Sequence, residues 1–177
     1  MNYIKNYYHS SSQNYEVGEI VSIDNFDGDV CNYHKTHEEQ AELINGTLDE
    51  HRPTGFPSRK KCIYVFDNKE ICLYFGCKND HAFCYTVKVY HGCGPFPMYL
   101  CGKIETYKNR INLQKRIIQE YFNPKKNWNI REYLCKEIEI ISKEDTQYVY
   151  NDANVEDVCV FKDFIKNDIT KNEPFED

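Results

Sequence analysis

Residues 62–66, Cys-Ile-Tyr-Val-Phe, form a continuous apolar run. A run of this length and composition is typical of a strand that is buried on both faces. Asp67 follows it, and Glu70 comes three residues later, a spacing that resembles a helix capping box. We therefore predict a buried strand followed at once by a short helix, which runs to Phe75 and ends at Gly76.

Outward from this run, strand and helix patterns alternate along the chain. Apolar spacings of three and four predict helices, and alternation predicts strands. The predicted strands are 2–10, 81–90 and 130–141, and the predicted helices are 37–50, 103–122 and 153–166, with a loop at 92–97. Because strands and helices interleave without regular βαβ spacing, we predict an α+β fold.

The chain has 177 residues, of which 41% are hydrophobic, so it can bury a real core. We expect one domain over 1–166 and a frayed acidic tail over 167–177. The sequence has no apolar run near 20 residues and no signal-peptide pattern, so we expect no membrane association. Its nine cysteines are odd in number, which favours reduced thiols and a cytoplasmic location.

Charge is distributed unevenly along the chain. The net charge is −6, but residues 151–177 hold eight acids against three lysines. Residues 103–131 hold eight basic residues against two acids. A basic stretch of this kind is more often a solvated helix surface than a nucleic-acid site. It nevertheless keeps a nucleic-acid partner open for the body of the chain.

Glu132 is the first candidate for chemistry. In a continuous strand it shares a face with the apolar residues Ile130, Leu134 and Ile138. A buried carboxylate costs several kcal/mol unless it is paired or hydrogen-bonded. Structural explanations are an ion pair with Lys136 or Arg131, or a bulge that turns the side chain outward.

Two further groups are candidates for ligand contacts. His9, Ser10 and Ser11 end a predicted strand, where ligand contacts are common, although these residues by themselves favour an exposed polar turn. Arg59 precedes the buried strand with its Tyr64, and an arginine can hold a phosphate with two hydrogen bonds. The alternative is an ordinary loop arginine that pairs with an acid at 49–50.

Two weaker patterns complete the set. Cys72, Cys77, His81 and Cys84 have the residue types of a structural zinc site, but not the tight paired turns of a zinc knuckle. Trp128 lies in a basic loop, from which it could stack on a base or a nicotinamide ring.

Three blocks, taken in order, resemble the ADP-ribosyltransferase fold, in particular its His-Tyr-Glu class. That class includes the diphtheria-toxin and poly(ADP-ribose) polymerase enzymes and small bacterial members such as rifampin ADP-ribosyltransferase. Residues 8–11 (Tyr-His-Ser-Ser) resemble its opening Tyr-His-Gly-Thr-like strand, with Ser10 in place of the usual glycine. Residues 62–68 resemble its buried strand and turn, and residues 128–134 resemble its late strand that opens with a glutamate.

The resemblance implies two small, mostly antiparallel sheets flanked by helices, and a site that cleaves NAD. In that site Glu132 would be catalytic, stabilising the positive charge that develops on the ribose. Tyr64 would stack on nicotinamide, and Arg59 would pair with the pyrophosphate. His9, Ser10 and Ser11 would bind the ribose and amide groups, so His9, Tyr64 and Glu132 should converge on one pocket.

The implied function is mono-ADP-ribosyl transfer from NAD to a macromolecule, either nucleic acid or protein, as in a toxin or an antiviral defence effector. An inhibitor or antitoxin protein would then be a further partner. Position 130 is Ile rather than an acid or amide, which disfavours protein arginine as the acceptor. The alternatives are an NAD glycohydrolase and a non-catalytic binding module.

Overall fold

The computed structural model describes residues 5–25, 38–146 and 159–172. Short connections join most of its helices and strands, the secondary-structure elements of the fold. In chain order these are β1 (Tyr7–Ser11), β2 (Ile20–Ser22), a 3₁₀ turn (Ile23–Asn25), α1 (Glu38–Glu50), β3 (Ile63–Phe66), α2 (Lys69–Lys78), β4 (Phe83–Pro97), α3 (Tyr99–Thr106), α4 (Ile111–Phe122), β5 (Arg131–Asp145) and α5 (Cys159–Asn172).

The described strands form one antiparallel sheet with the order β2-β5-β3-β1-β4. β4 also pairs with β5 along most of its length, so β5, β3, β1 and β4 close on one another. The predicted mixed fold with antiparallel strands is therefore confirmed. The two separate sheets that the resemblance implied are, within the described residues, a single sheet.

Strand pairing fixes which side chains share a face of this sheet. Glu132 pairs with Phe66, and Tyr64 pairs with Leu134, so these four side chains lie on one face. Helices α1, α3 and α4 cover that face, because their buried residues form one apolar cluster with Leu134. We call it the helix-covered face. The opposite face carries a second cluster that includes Ile63, Val65, Tyr85, Val87 and Tyr133.

Residues 92–97, predicted as a loop, are the second half of β4. Gly94 has a φ of 137°, and a Cβ there would lie 3.0 Å from the Glu132 carbonyl oxygen. A residue without a side chain thus lets β4 pass close to β5, with a register shift between Cys93 and Phe96. The polar, proline-containing sequence hid this pairing because the alternating pattern ends near Tyr90.

The predicted helix 103–122 is in fact two helices, α3 and α4. The sequence pattern placed Ile104 and Ile111 on one stripe, but Ile104 is fully buried and Ile111 is 66% exposed. The buried residues of α4 are Leu113, Ile117, Ile118 and Tyr121. Since the buried stripes of the two segments do not share one phase, the chain breaks between Thr106 and Ile111.

The helix after the buried strand also differs from its prediction. Its N-cap is Asn68, whose side chain accepts hydrogen bonds from the backbone N–H groups of Glu70 and Ile71. It also runs past Gly76 to Lys78. A Cβ at position 76 would lie 3.0 Å from the Cβ of Ser10, so the glycine lets this helix pack closely against β1 rather than ending it.

The predicted fraying from residue 167 is wrong for 167–172, because α5 continues to Asn172. Asp168 is fully buried, and its carboxylate accepts hydrogen bonds from the backbone N–H groups of Asn129 and Ile130. This contact fixes α5 at the start of β5. Residues 153–158 of the predicted last helix and 173–177 of the predicted tail lie outside the described residues. No helix in the described part of the chain is long and apolar enough to cross a membrane.

Candidate functional site

The carboxylate of Glu132 lies in a buried polar cluster on the helix-covered face. Glu132 is fully buried, and its Oε1 accepts hydrogen bonds from the Arg59 guanidinium and, at 2.7 Å, from the hydroxyl of Tyr121. The thiol of Cys101 lies 3.8 Å from the same oxygen. Arg131, one of the two partners expected from the sequence, binds Asp67 instead.

Arg59 reaches Glu132 because its loop is held at several points. Its backbone N–H donates to Asp49 at 2.7 Å, and its Nε donates to Asn45 of α1 at 2.9 Å. The Tyr64 hydroxyl donates to the Arg59 carbonyl oxygen at 2.6 Å. The guanidinium lies 5.1 Å from the ring centre of Tyr64 and 5.4 Å from that of Tyr121. Arg59 is therefore a fully engaged internal cation.

The surroundings shift the pKa values of this cluster. Burial alone would lower the pKa of Arg59, but the neighbouring Cys101 and Glu132 raise it well above its ordinary value. Burial raises the pKa of the Cys101 thiol to about 12, and it also raises the pKa of the Tyr121 hydroxyl. Arg59 therefore stays charged, while Cys101 and Tyr121 stay protonated near neutral pH.

His9 does not lie in this cluster. Tyr8 pairs with Phe66 on the helix-covered face, so the next residue, His9, points to the opposite face. There its ring stacks on Tyr85 at 6.5 Å, and its Nδ1 is 2.9 Å from the Tyr64 carbonyl oxygen. Burial lowers the pKa of His9 to about 4. The expected convergence of His9, Tyr64 and Glu132 on one pocket is wrong, because the sheet separates His9 from Glu132.

The two serines after His9 are also occupied within the fold. The Oγ of Ser10 lies 2.9 Å from Nδ1 of His81, and the Oγ of Ser11 accepts from the Gln13 N–H at 3.1 Å. Both serines are buried. The predicted contact residues therefore do not form one site. Arg59 and Tyr64 lie with Glu132, His9 lies on the opposite face, Ser10 packs against α2, and Ser11 binds the Gln13 backbone.

Three buried side-chain atoms in the described part of the chain have no hydrogen-bond partner. They are Oδ1 of Asp67, Nε of Arg131 and Oε2 of Glu132. All three residues lie where β3 ends and β5 begins, since Phe66 pairs with Glu132. Buried polar atoms normally have partners. This end of the sheet is therefore where the described structure leaves polar groups unmatched.

A further cavity lies elsewhere, in the basic part of the chain. It is a groove of about 760 Å³ between the end of α1 and the second half of α4 with the loop that follows. We call it the basic groove. Its charged and titratable lining residues are His51, Lys115, Arg116, Glu120, Lys125 and Lys126.

The single acid of the basic groove is bound by neighbouring groups. Oε1 of Glu120 accepts hydrogen bonds from the backbone N–H groups of Lys125 and Lys126 and from the indole of Trp128. Trp128 is only 4% exposed and stacks on Tyr99 at 6.0 Å. The expectation that Trp128 stacks on a ligand is therefore wrong, and its role is to shape the loop that carries the lysines.

Sequence reasoning singled out Glu132 and Arg59 but missed their partners. Tyr121, Asn45 and Cys101 look like ordinary helix residues in the sequence. The sequence signal that points to them is the free-energy cost of burying the Glu132 carboxylate. A carboxylate on an apolar face needs hydrogen-bond donors from the helices and loops that pack over that face. Among the described residues, no group of three or more His, Cys, Asp or Glu side chains is arranged to hold a metal ion.

Comparison with protein-family models and with curated proteins finds no match to this chain. The ADP-ribosyltransferase resemblance accordingly stays a prediction that rests on the sequence blocks given above.

The burial of His9 predicts an acid-sensitive stability. The pKa of His9 is about 4 in the folded protein, against 6.5 as its ordinary value. The unfolded chain therefore binds a proton that the folded chain does not, between these two values. Stability that is present above about pH 6.5 should be lost as the pH falls towards 4, by on the order of 3 kcal/mol.

Urea unfolding at pH 7.0, 6.0, 5.0 and 4.5 measures this loss. The variant His9→Gln should show a shallower decrease across the same range. His81 contributes in the same direction, because burial also lowers its pKa. Equal slopes for wild type and His9→Gln would contradict the assignment of the effect to His9.

Proposed function

We propose that this chain is a nucleic-acid-binding module that holds a single strand in the basic groove. The observation that carries the proposal is the groove itself. It is a cavity of about 760 Å³, and four Lys or Arg side chains line it against one acid. An acidic chain with a net charge of −6 has concentrated positive charge in a concave surface.

The chemistry of the groove fits a phosphate backbone. Lys115, Arg116, Lys125 and Lys126 are long cationic side chains that can follow successive phosphates, and neutralising phosphates releases counterions. Phe122, which is half-buried, also lines the groove and offers an apolar edge near the bases. A strand that can bend into a concave surface suits this site better than a rigid duplex does.

Removing two groove charges should weaken binding and its salt dependence together. If the four Lys and Arg residues contact four phosphates, the slope of log K against log salt for a single strand is about −3. In Lys115→Gln/Lys125→Gln we expect weaker binding and a slope about half as steep. Fluorescence anisotropy with a labelled 20-nucleotide single strand, from 50 to 300 mM salt, measures both quantities.

The matched control removes two charges outside the groove. Lys108 and Lys136 are exposed and do not line it. Lys108→Gln/Lys136→Gln changes the net charge by the same amount and should bind as the wild type does. Equal weakening in the two double variants would show a general charge effect, and no binding by the wild type at 50 mM salt would end the proposal.

NAD-dependent ADP-ribosyl transfer is the second candidate, and one observation favours it. Oε2 of Glu132 is buried without a partner in the described structure, and Tyr64 shares its face. A carboxylate oxygen of this kind can accept a hydrogen bond from a sugar hydroxyl. However, the predicted NAD contacts do not form one site here, because His9 lies behind the sheet and Glu132 is fully buried. The helix layer above Glu132 must open for this reaction.

Release of nicotinamide from NAD tests this second candidate directly. The wild type should release it, with or without transfer of label to nucleic acid or protein, and Glu132→Gln should not. The exposed Lys136→Gln serves as the matched variant and should keep the wild-type rate. Circular dichroism checks that Glu132→Gln is folded. If the folded wild type releases no nicotinamide, or if Glu132→Gln matches it, this candidate is wrong.

A further inference from the structure

Two cysteines that do not line the groove meet in the core. Cys72 belongs to α2, and Cys84 is the second residue of β4. Their sulfur atoms lie 3.8 Å apart, and the Cys84 thiol donates a hydrogen bond to the Cys72 sulfur. Cys72 is fully buried, and Cys84 is 2% exposed.

The packing of α2 on the sheet accounts for this meeting. Cys84 pairs with Ser10 of β1, and Gly76 of α2 packs against that same Ser10. Cys72 lies one helical turn before Gly76 and thus on the same side of the helix. The close approach that Gly76 permits therefore places the two thiols together. The contact is a consequence of the fold rather than of a flexible loop.

The other thiol hydrogen bonds of the described residues end on oxygen. Cys62 donates to the Arg59 carbonyl, Cys93 to the Leu134 carbonyl and Cys101 to the Glu132 carboxylate. The Cys72–Cys84 contact is the one that ends on sulfur. It is therefore the described pair whose geometry already brings two reactive atoms together.

The two thiols also differ in acidity. The pKa of Cys84 is lowered because the Cys72 S–H can donate a hydrogen bond to the Cys84 sulfur once Cys84 is ionised, while burial raises the pKa of Cys72 well above its ordinary value. The positive charge of Lys69, the first residue of α2, also lowers the pKa of Cys84. Cys84 therefore ionises first, and a thiolate is the nucleophilic form of cysteine.

We propose that Cys72 and Cys84 form a reversible disulfide under peroxide, so that this pair is a redox modification site that links α2 to β4. The Cys84 thiolate attacks one oxygen of hydrogen peroxide, the O–O bond breaks, and with one proton the products are a sulfenic acid and water. The Cys72 thiol then attacks the sulfenic sulfur. The S–S bond forms and a second water leaves.

The link should stabilise the fold. It closes a short loop between residues 72 and 84, which restricts the unfolded chain. The sulfur atoms must approach from their hydrogen-bonded distance to about 2.05 Å. Since both lie in the same buried cluster, side-chain movement within the core supplies this approach. The oxidised protein should therefore unfold at a temperature several degrees higher than the reduced protein.

The experiment uses the full chain with Cys31→Ser and Cys159→Ser, which leaves only the seven cysteines whose surroundings the structure describes. The protein is treated with hydrogen peroxide, the remaining thiols are blocked with N-ethylmaleimide, and peptides are mapped by mass spectrometry. We expect a Cys72–Cys84 linked peptide, a loss of two hydrogens in intact mass, reversal by dithiothreitol and a higher unfolding temperature.

Two variants separate this pair from the remaining cysteines. Cys84→Ser should form no disulfide, whereas Cys135→Ser should form the Cys72–Cys84 link as before. A different linked pair, sulfinic acid at Cys84 without a link, or thiols at 72 and 84 that stay reduced while other cysteines oxidise would each overturn the proposal. Because the readout needs neither nucleic acid nor NAD, its failure is independent of the proposed functions.

Discussion

The buried charge of Glu132 is the constraint around which the helix-covered side of the sheet is arranged. A carboxylate in this position would cost several kcal/mol if it had no partner. Arg59 neutralises it, and Asn45, Tyr64 and Tyr121 hold Arg59 or Glu132 in turn. One ion pair thereby joins α1, the loop before β3, α4 and β5.

Helix α4 connects this internal pair to the outer surface. Its buried side carries Tyr121, which binds Glu132, together with Leu113 and Ile117. Lys115 and Arg116 of the same helix line the basic groove. Since the ion pair fixes the rotation of α4, it also fixes where these cations point. The proposed nucleic-acid surface therefore depends on the same Arg59–Glu132 ion pair that neutralises the charge of Glu132.

The sequence predicted the elements whose patterns are local. The buried strand at 62–66 and the helix at 37–50 appear as β3 and α1, because apolar runs and helical spacing need no distant partner. Features set by packing were missed. Gly94 and Gly76 read as breakers in the sequence, yet each permits a close backbone approach within an element.

In the candidate site, too, features set by local pattern were predictable and features set by packing were not. That Glu132 needs a partner was predictable from its apolar face, but the identity of the partner depends on how a loop and two helices pack above the sheet. His9 illustrates an error of placement, because it lies in the middle of β1 rather than at a strand end, and on the face away from Glu132. One residue of register decides between the two faces of a strand, and the blocks that suggested a common pocket carry no such information.

The most direct test of the central claim is a double-mutant cycle on the ion pair. Urea unfolding gives the free energy of unfolding of the wild type, Arg59→Met, Glu132→Leu and the double variant. Each single variant leaves a buried charge without its partner and should lose about 3–5 kcal/mol, whereas the double variant should lose much less than the sum. Small losses that simply add would show that Glu132 does not constrain the fold in this way.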